Sequence, residues 1–302
     1  MPYDPVMDHT PIRIGIIGGT GLGEALGAEA GEVREVDTPF GKPSSHILLT
    51  QWEGVDLALL QRHGIGHTLN PSQVPYRANL FALKALGATH VLASGATGSL
   101  RENIAPGDLV IVDQVIDKTH RRANTFFGHA AVHVEFADPF CPVMRSWLID
   151  AASGLEESGL TVHKTGTYVC MEGPTFSTKA ESLMHRSWGG DLIGMTAMPE
   201  AKLAREAEMA YALIAMPTDY DCWRPHDPHT TSQMLLDEIR GNLLAGTHNN
   251  LALMKAALRN VTVLQGNPSP AHSALALAVW SDKEKIDPDE VERLAVLWGR
   301  YF

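Results

Sequence analysis

The sequence predicts an α/β protein whose strand ends carry its chemistry. Short apolar runs that read as strands alternate with segments of helical apolar spacing, and the runs end in turns rich in glycine and hydroxyls. The composition, 44% hydrophobic and 20% charged over 302 residues, supplies an ordinary globular core. One stretch concentrates the pattern. Tyr211-Ala212-Leu213-Ile214-Ala215-Met216 reads as a buried strand feeding Pro217-Thr218-Asp219-Tyr220-Asp221. If the extended conformation persists past Pro217, Asp219 and Asp221 point to the same side. Open α/β sheets hold ligands in the crevice beyond their strand ends, so the two acids read as a site; a solvated turn is the plainer alternative.

Bulk properties narrow the function classes. A net charge of −11 argues against a nucleic-acid-coating surface, because phosphates must be met by clustered Lys and Arg. Any anionic ligand must meet a local positive site instead. Cys141, Cys170 and Cys222 show neither CxxC nor zinc spacing, so neither a disulfide scaffold nor a metal site is expected, and a cytoplasmic location fits. The segment from Met1 to His9 lacks a basic and an apolar signal region, and no apolar run approaches roughly twenty residues. Neither secretion nor membrane spanning is expected, and residues 1–11 are read as a flexible tail.

In chain order, Ile12 to Ile17 reads as a first strand ended by Gly18-Gly19-Thr20-Gly21-Leu22-Gly23. Glycines let backbone N–H groups approach an anion, and Thr20 adds a hydroxyl. Counted from Gly19 the loop runs Gly-x-Gly-x-x-Glu24, so a dinucleotide fingerprint lacks its third glycine, and no clear apolar helix follows. His46–Leu49 and Val55–Leu60 form a hairpin around Glu53-Gly54 that delivers Arg62-His63-Gly64. Arg offers a planar fork and His a directed donor, which suits a di-anion; a surface Arg and a packed His are the alternative. A helix from Pro75 to Leu86 stops at Gly87, and a strand from Thr89 to Ser94 runs into Gly95-Ala96-Thr97-Gly98-Ser99, again opening the backbone to a ligand.

A strand over Asp108–Ile116 precedes an irregular segment from Lys118 to Phe136, whose length marks it as functional or as a partner contact. A helix from Cys141-Pro142 to Ser158, a strand from Val162 to Val169 and a rigid turn through Gly173-Pro174 follow. That turn presents Phe176 as a stacking face or buries it in the core. After a helix from Thr178 to Trp188, Met195-Thr196 precedes the helix Pro199–Glu206, where the Thr196 hydroxyl caps the helix or binds an anion. Beyond the strand and its acids lie a polar lid-like segment, Arg224–Thr231, and a capping-box pattern, Thr230-Thr231-Ser232-Gln233, before the long helix Met234–Leu258. Asp287-Pro288-Asp289-Glu290 caps a last helix with Val291, Leu294, Ala295 and Trp298 on one face.

Taken together, these motifs resemble the nucleoside phosphorylase family, and within it closely the 5′-methylthioadenosine phosphorylases. The resemblance runs from about Ile14 to Leu258 and weakly through the tail. Its most specific pieces are Gly18-Gly19-Thr20-Gly21-Leu22, Asp37 to Ser44, Arg62-His63-Gly64, Gly98-Ser99-Leu100-Arg101, Glu172-Gly173-Pro174, Met195-Thr196, Pro199-Glu200 and Thr218 to Trp223. It implies one phosphorylase domain over residues 1–302, a central mixed β-sheet flanked by helices, with residues 262–302 packing on the body. It implies phosphate held by Thr20, Arg62, His63, Gly95, Ala96 and Thr196, Phe176 over the purine and ribose, Met195 under the ribose, and Asp219 and Asp221 reading the base as the catalytic acids. His133 matches a histidine that lines the 5′ pocket of a neighbouring subunit, so a homotrimer or a multiple of it is implied.

The implied reaction is phosphorolysis of 5′-methylthioadenosine to adenine and 5-methylthioribose 1-phosphate, with inorganic phosphate as co-substrate and neither cofactor nor metal. Alternatives are a phosphorylase for adenosine, methylthioinosine or 6-oxopurine nucleosides, an NAD-dependent oxidoreductase, and a catalytically silent nucleoside-binding protein. Departures bear on the 5′ substituent. Pro217 stands where a small residue is common, Thr175 where some relatives are basic, and Thr230 to Ser232 are polar where an apolar wall would favour a methylthio group.

Overall fold

The computed structural model describes residues 12–27, 29–155, 159–225 and 229–302. The expected tail over residues 1–11 lies outside them, as do residues 156–158 of the helix expected to reach Ser158 and residues 226–228 of the expected lid. Among the described residues the strands are β1 (Arg13–Gly18), β2 (Glu32–Arg34), β3 (Ile47–Trp52), β4 (Val55–Gln61), β5 (His90–Ser99), β6 (Leu109–Ile111), β7 (Gln114–Asp117), β8 (Val162–His163), β9 (Thr167–Cys170), β10 (Leu192–Gly194) and β11 (Ala210–Asp219). The helices are α1 (Leu22–Gly27), α2 (Tyr76–Ala85), α3 (Pro142–Ser153), α4 (Lys179–Ser187), α5 (Ala197–Glu206), α6 (Ser232–Leu258), α7 (Thr262–Gly266), α8 (Pro288–Arg293) and α9 (Ala295–Trp298).

β11 explains the layering. Its side chains alternate between two apolar clusters: Tyr211, Leu213 and Ala215 enter the one shared with α2, α5 and the C-terminal segment, while Ala212, Ile214 and Met216 enter the one shared with α3 and α6. A strand buried on both faces reads as a continuous apolar run because neither face meets water. One mixed sheet of eleven strands results, in the order β2-β3-β4-β1-β5-β10-β9-β7, with β11 beside β5 and β6.

The site follows from how β5 changes partners. Its first half pairs in parallel with β1, ending at Ile17 and Ala93, and its tip pairs antiparallel with β10 through Gly98 and Ile193. On the other edge β11 runs parallel to β5 from Ala210 to Asp219, with an irregularity between Pro217 and Asp219. Ser94 to Thr97 thus have no register partner in β1 or β10, and the sheet splits there into a crevice. Such a switch point is where an α/β sheet exposes strand-end backbone to a ligand.

Several expected boundaries moved. The strand read as Asp108–Ile116 is two, β6 and β7, which join different parts of the sheet, and the strand read as Val162–Val169 divides into β8 and β9. Apolar runs do not reveal a change of partner. Gly95 to Gly98 remain strand because β11 pairs alongside them, and Ser99 because it pairs with Leu192 of β10. A short helix, α1, does follow the first glycine loop, and Leu22 at its start is buried. Thr231, not Thr230, caps α6 by accepting from the Met234 N–H at 3.2 Å; Gln233 donates instead to Asp237, so the capping box is only half made. The complete box lies at α4, where Thr178 and Glu181 accept from each other's backbone N–H groups.

The C-terminal helix breaks at Leu294 into α8 and α9. Leu294, Leu297 and Trp298 are buried and Val291 is half-buried, whereas Ala295, expected on the packed face, is exposed. The break rotates Leu297 inward in its place. The Trp298 ring lies 4.6 Å from that of Phe127, and its Nε1 donates to Val291 O at 3.1 Å. Trp298→Ala should cost about 3–5 kcal/mol of stability by opening a cavity under the tail, read as a lowered urea midpoint with an unchanged slope.

Candidate active site

The crevice opens into a cavity of about 540 Å³, within the range of small-molecule sites. Thr20, Arg62, His63, Gly95, Ala96 and Thr196 line one part of it, and Phe176, Met195, Asp219 and Asp221 also line it. His133 does not. It is exposed, donates its backbone N–H to Ala278 O, and stacks edge-on against Trp280 with 4.8 Å between ring centroids.

Arg62 leaves the end of β4 with no exposed surface. Its Nε and Nη2 donate to Glu200 at 2.7 and 2.8 Å, and its Nη1 donates to Ser94 O at 2.8 Å. The fork expected to grip an anion is therefore spent on Glu200. Two of the five N–H groups of a guanidinium remain. Burial alone would disfavour the guanidinium charge; Glu200 more than offsets this and holds its pKa above the ordinary value. Gly19 makes room for the arrangement: a Cβ there would lie 2.7 Å from Arg62 Nη1 and 2.8 Å from Ser94 O.

His63 also departs from its expected role as a donor. Burial, followed by the charge of Arg62, lowers its pKa from 6.5 to about 4, so the ring is neutral at neutral pH. Nδ1 faces Leu69 O at 2.9 Å and must carry the proton to bond there. Nε2 is then an acceptor, suited to the P–OH of monohydrogen phosphate rather than to a bare oxyanion. Thr196 occupies the cap position of α5 without a side-chain capping bond, which leaves its expected anion-binding role in place and not its capping role.

At the acid pair, the extended conformation ends at Asp219. Asp221 has φ of 49°, so the two acids share the cavity through a tight turn rather than through strand alternation. The Asp221 backbone N–H donates to Asp219 Oδ1 at 2.6 Å, and Thr218 Oγ1 donates to Oδ2 at 2.9 Å. Gly98 lets the pair lie close to β5, since a Cβ there would meet Asp221 Cβ at 3.1 Å and Asp219 Oδ1 at 3.3 Å. Phe176 is 80% exposed at the mouth, which fits a stacking face and not a core residue.

Three groups carry roles that no local pattern assigned. Glu200 is 138 residues from Arg62, and only the need of a buried guanidinium for a counter-charge points to it. Glu172 accepts from Ser72 Oγ, the His120 N–H and Arg122 Nε. Burial opposes its charge, yet these donors bring its pKa to about 2. Arg122 in turn donates to Met195 O and Met198 O, both at 2.6 Å, fixing the backbone that presents Met195 and Thr196. Finally, α6 brings Ile239 and Leu243 to the cavity. Their i, i+4 spacing is the signal that would have found them. Among the described residues, no three His, Cys, Asp or Glu side chains are placed to hold a metal ion.

The sequence and the fold match known proteins. A profile of the phosphorylase superfamily matches residues 13–259. The S-methyl-5′-thioadenosine phosphorylase of Synechocystis sp. is 46% identical over 292 residues, covering 96% of this chain and 87% of that protein. The enzyme of the same name from Geobacter sulfurreducens is also 46% identical, covering 95% and 98%. The crystal structure of a methylthioadenosine phosphorylase from an Antarctic soil metagenomic library superposes with a TM-score of 0.86 at 43% identity, over 95% of this chain and 99% of that one. Methylthioadenosine phosphorylase from Schistosoma mansoni, in complex with adenine, gives 0.79 at 35% identity, over 89% and 99%. The chain belongs to the phosphorylase superfamily and, within it, to the family of the S-methyl-5′-thioadenosine phosphorylases.

Glu200→Gln keeps the shape and removes the charge that balances Arg62. It should cost about 3 kcal/mol in phosphate-free buffer, and added phosphate should recover part of the loss by binding the folded state; urea melts with and without phosphate read both. His63 gives a pH dependence of opposite origin. Its folded pKa of about 4 lies below the unfolded 6.5, so the folded state binds fewer protons in that window and loses stability as pH falls from 6.5 to about 4. His63→Gln should abolish up to about 3 kcal/mol of that decline, seen in urea melts across the window.

Proposed function

We propose that this chain cleaves 5′-methylthioadenosine with inorganic phosphate, releasing adenine and 5-methylthioribose 1-phosphate. The observation that carries the reading is a single cavity in which Arg62 and Thr196 lie about Gly95 of β5, while Asp219 and Asp221 lie about Gly98 further along the strand. A nucleoside and an anion can therefore bind side by side.

In this reading phosphate lies among Thr20, Arg62, His63, Gly95, Ala96 and Thr196. Glu200 holds Arg62 in one orientation, so its charge is in place before the anion arrives and costs little reorganisation. Phosphate then attacks the anomeric carbon as the glycosidic bond loosens, and its negative charge stabilises the cation-like ribose. Phe176 covers the purine and ribose, and Met195 lies beneath the sugar. Adenine is a poor anionic leaving group, so Asp219 supplies a proton or a strong hydrogen bond at N7 while Asp221 accepts from the exocyclic amine. Carboxylates accept from a 6-amino group and repel a 6-oxo group, which favours adenine nucleosides over 6-oxopurines.

The polar segment Thr230 to Ser232 lacks the apolar wall that would favour a methylthio group. Ile239 and Leu243 on α6 now supply an apolar wall from another element, which supports 5′-methylthioadenosine over adenosine. No cofactor takes part in this scheme; phosphate is the co-substrate. We further assign a homotrimer or a multiple of it, with His133 reaching a neighbour's cavity. Its exposure beside Trp280, itself 72% exposed, supports that assignment. Among the described residues no helix is long and apolar enough to cross a membrane, and a cytoplasmic location is part of the proposal.

The decisive experiment incubates the chain with 5′-methylthioadenosine with and without phosphate and measures free base. Release of adenine only with phosphate is expected; phosphate-independent release, or faster release of hypoxanthine from methylthioinosine, would sink the reading. Asp219→Asn should lower adenine release by roughly a hundredfold, in line with loss of a general acid, and shift the relative preference toward 6-oxopurines.

A further inference from the structure

We propose that Trp223, which does not line the cavity, is a positioning residue: its indole fixes the turn from Asp219 to Trp223 against the end of β5 and so sets the preference for a 6-aminopurine. This rests on the base-reading role of the two acids given above. Asp221 adopts a left-handed conformation, φ 49°, which aspartate tolerates but does not prefer. Its backbone N–H bonds Asp219 Oδ1, so the direction of the Asp219 carboxyl group depends on that turn being held.

Three contacts hold it. Trp223 Nε1 donates to Ser99 O at 2.8 Å, one residue beyond the Gly98 against which both acids pack. The Arg186 guanidinium carbon stands 3.5 Å from the centroid of the Trp223 ring, and Arg186 is itself tied to Leu100 O. Cys222 Sγ donates to Ser177 O at 3.3 Å, next to Phe176. The indole also packs on the small apolar cluster of Leu100, Val169 and Ile193, and Ile193 lines the cavity.

The turn is thus braced on β5, on α4 through Arg186, and on the segment that carries Phe176. Discrimination between an amino and an oxo group requires a carboxyl group held to within about 0.5 Å, since a carboxylate free to rotate loses both its bond to the amine and its repulsion of the oxygen. Trp223 supplies that constraint without touching the base.

The test is Trp223→Phe in the full chain, which keeps an aromatic face for Arg186 and removes the N–H. Initial rates with 5′-methylthioadenosine and methylthioinosine, and equilibrium binding of adenine and hypoxanthine, are compared with the wild type. The expected result is a roughly fivefold to tenfold fall in the amino-to-oxo ratio of kcat/KM and of binding, the size of one lost hydrogen bond, with the KM for phosphate within about twofold. An unchanged ratio, or an equal fall for both substrates together with a raised phosphate KM, would overturn the proposal. Arg186→Met provides a second variant: a shift of roughly twofold to threefold in the same direction supports the brace, and an unchanged ratio overturns it. A wild type that releases no base with phosphate would overturn the functional reading, while the adenine-to-hypoxanthine binding ratio still decides the role of Trp223.

Discussion

Arg62 has no exposed surface, and a guanidinium removed from water persists only where acceptors surround it. Glu200 takes two of its N–H groups and Ser94 O a third, while Tyr211 donates its hydroxyl to Glu200 at 2.8 Å. These bonds tie the end of β4 to β5, α5 and β11, the elements that border the crevice. Breaking the pair would leave a charge in a low-dielectric interior, so the pair fixes both the position of the cation and the relation of the strands around it. Gly19 is required by the same arrangement, because any side chain there collides with Arg62.

Glu172 and Arg122 repeat this logic beside Met195. Arg122 bonds the carbonyls of Glu172, Met195 and Met198, and Glu172 gathers donors from Ser72 and the segment His120 to Arg122. The irregular stretch after Lys118 is therefore anchored at its start to the site of its own chain, while His133 further along points to the surface. That division explains how an irregular segment can stabilise one cavity and still offer a side chain elsewhere.

The acid pair shows a different kind of control. At Asp219 a neighbour's backbone N–H, the Thr218 hydroxyl, the absence of a side chain at Gly98 and a braced turn act together.

Much of the site was legible in the residues themselves. Glycine-rich strand ends, Arg62-His63 and the acids after Pro217 have local signatures, because strand, turn and charge are properties of neighbouring residues. The burial of β11 also follows from its continuous apolar run. What the sequence could not supply were relations across it. The partner of Arg62 lies 138 residues away, so its fork is occupied rather than free. The ring state of His63 depends on burial and on Leu69 O, and the apolar wall comes from α6 rather than from the polar segment before it. β6 and β7, read as one strand, separate because their pairing partners diverge. The sequence determined which chemical groups this protein possesses and the local conformations that present them. Tertiary structure alone decided which groups neutralise one another and which remain for a ligand, because burial and long-range pairing set the charge and direction of a side chain.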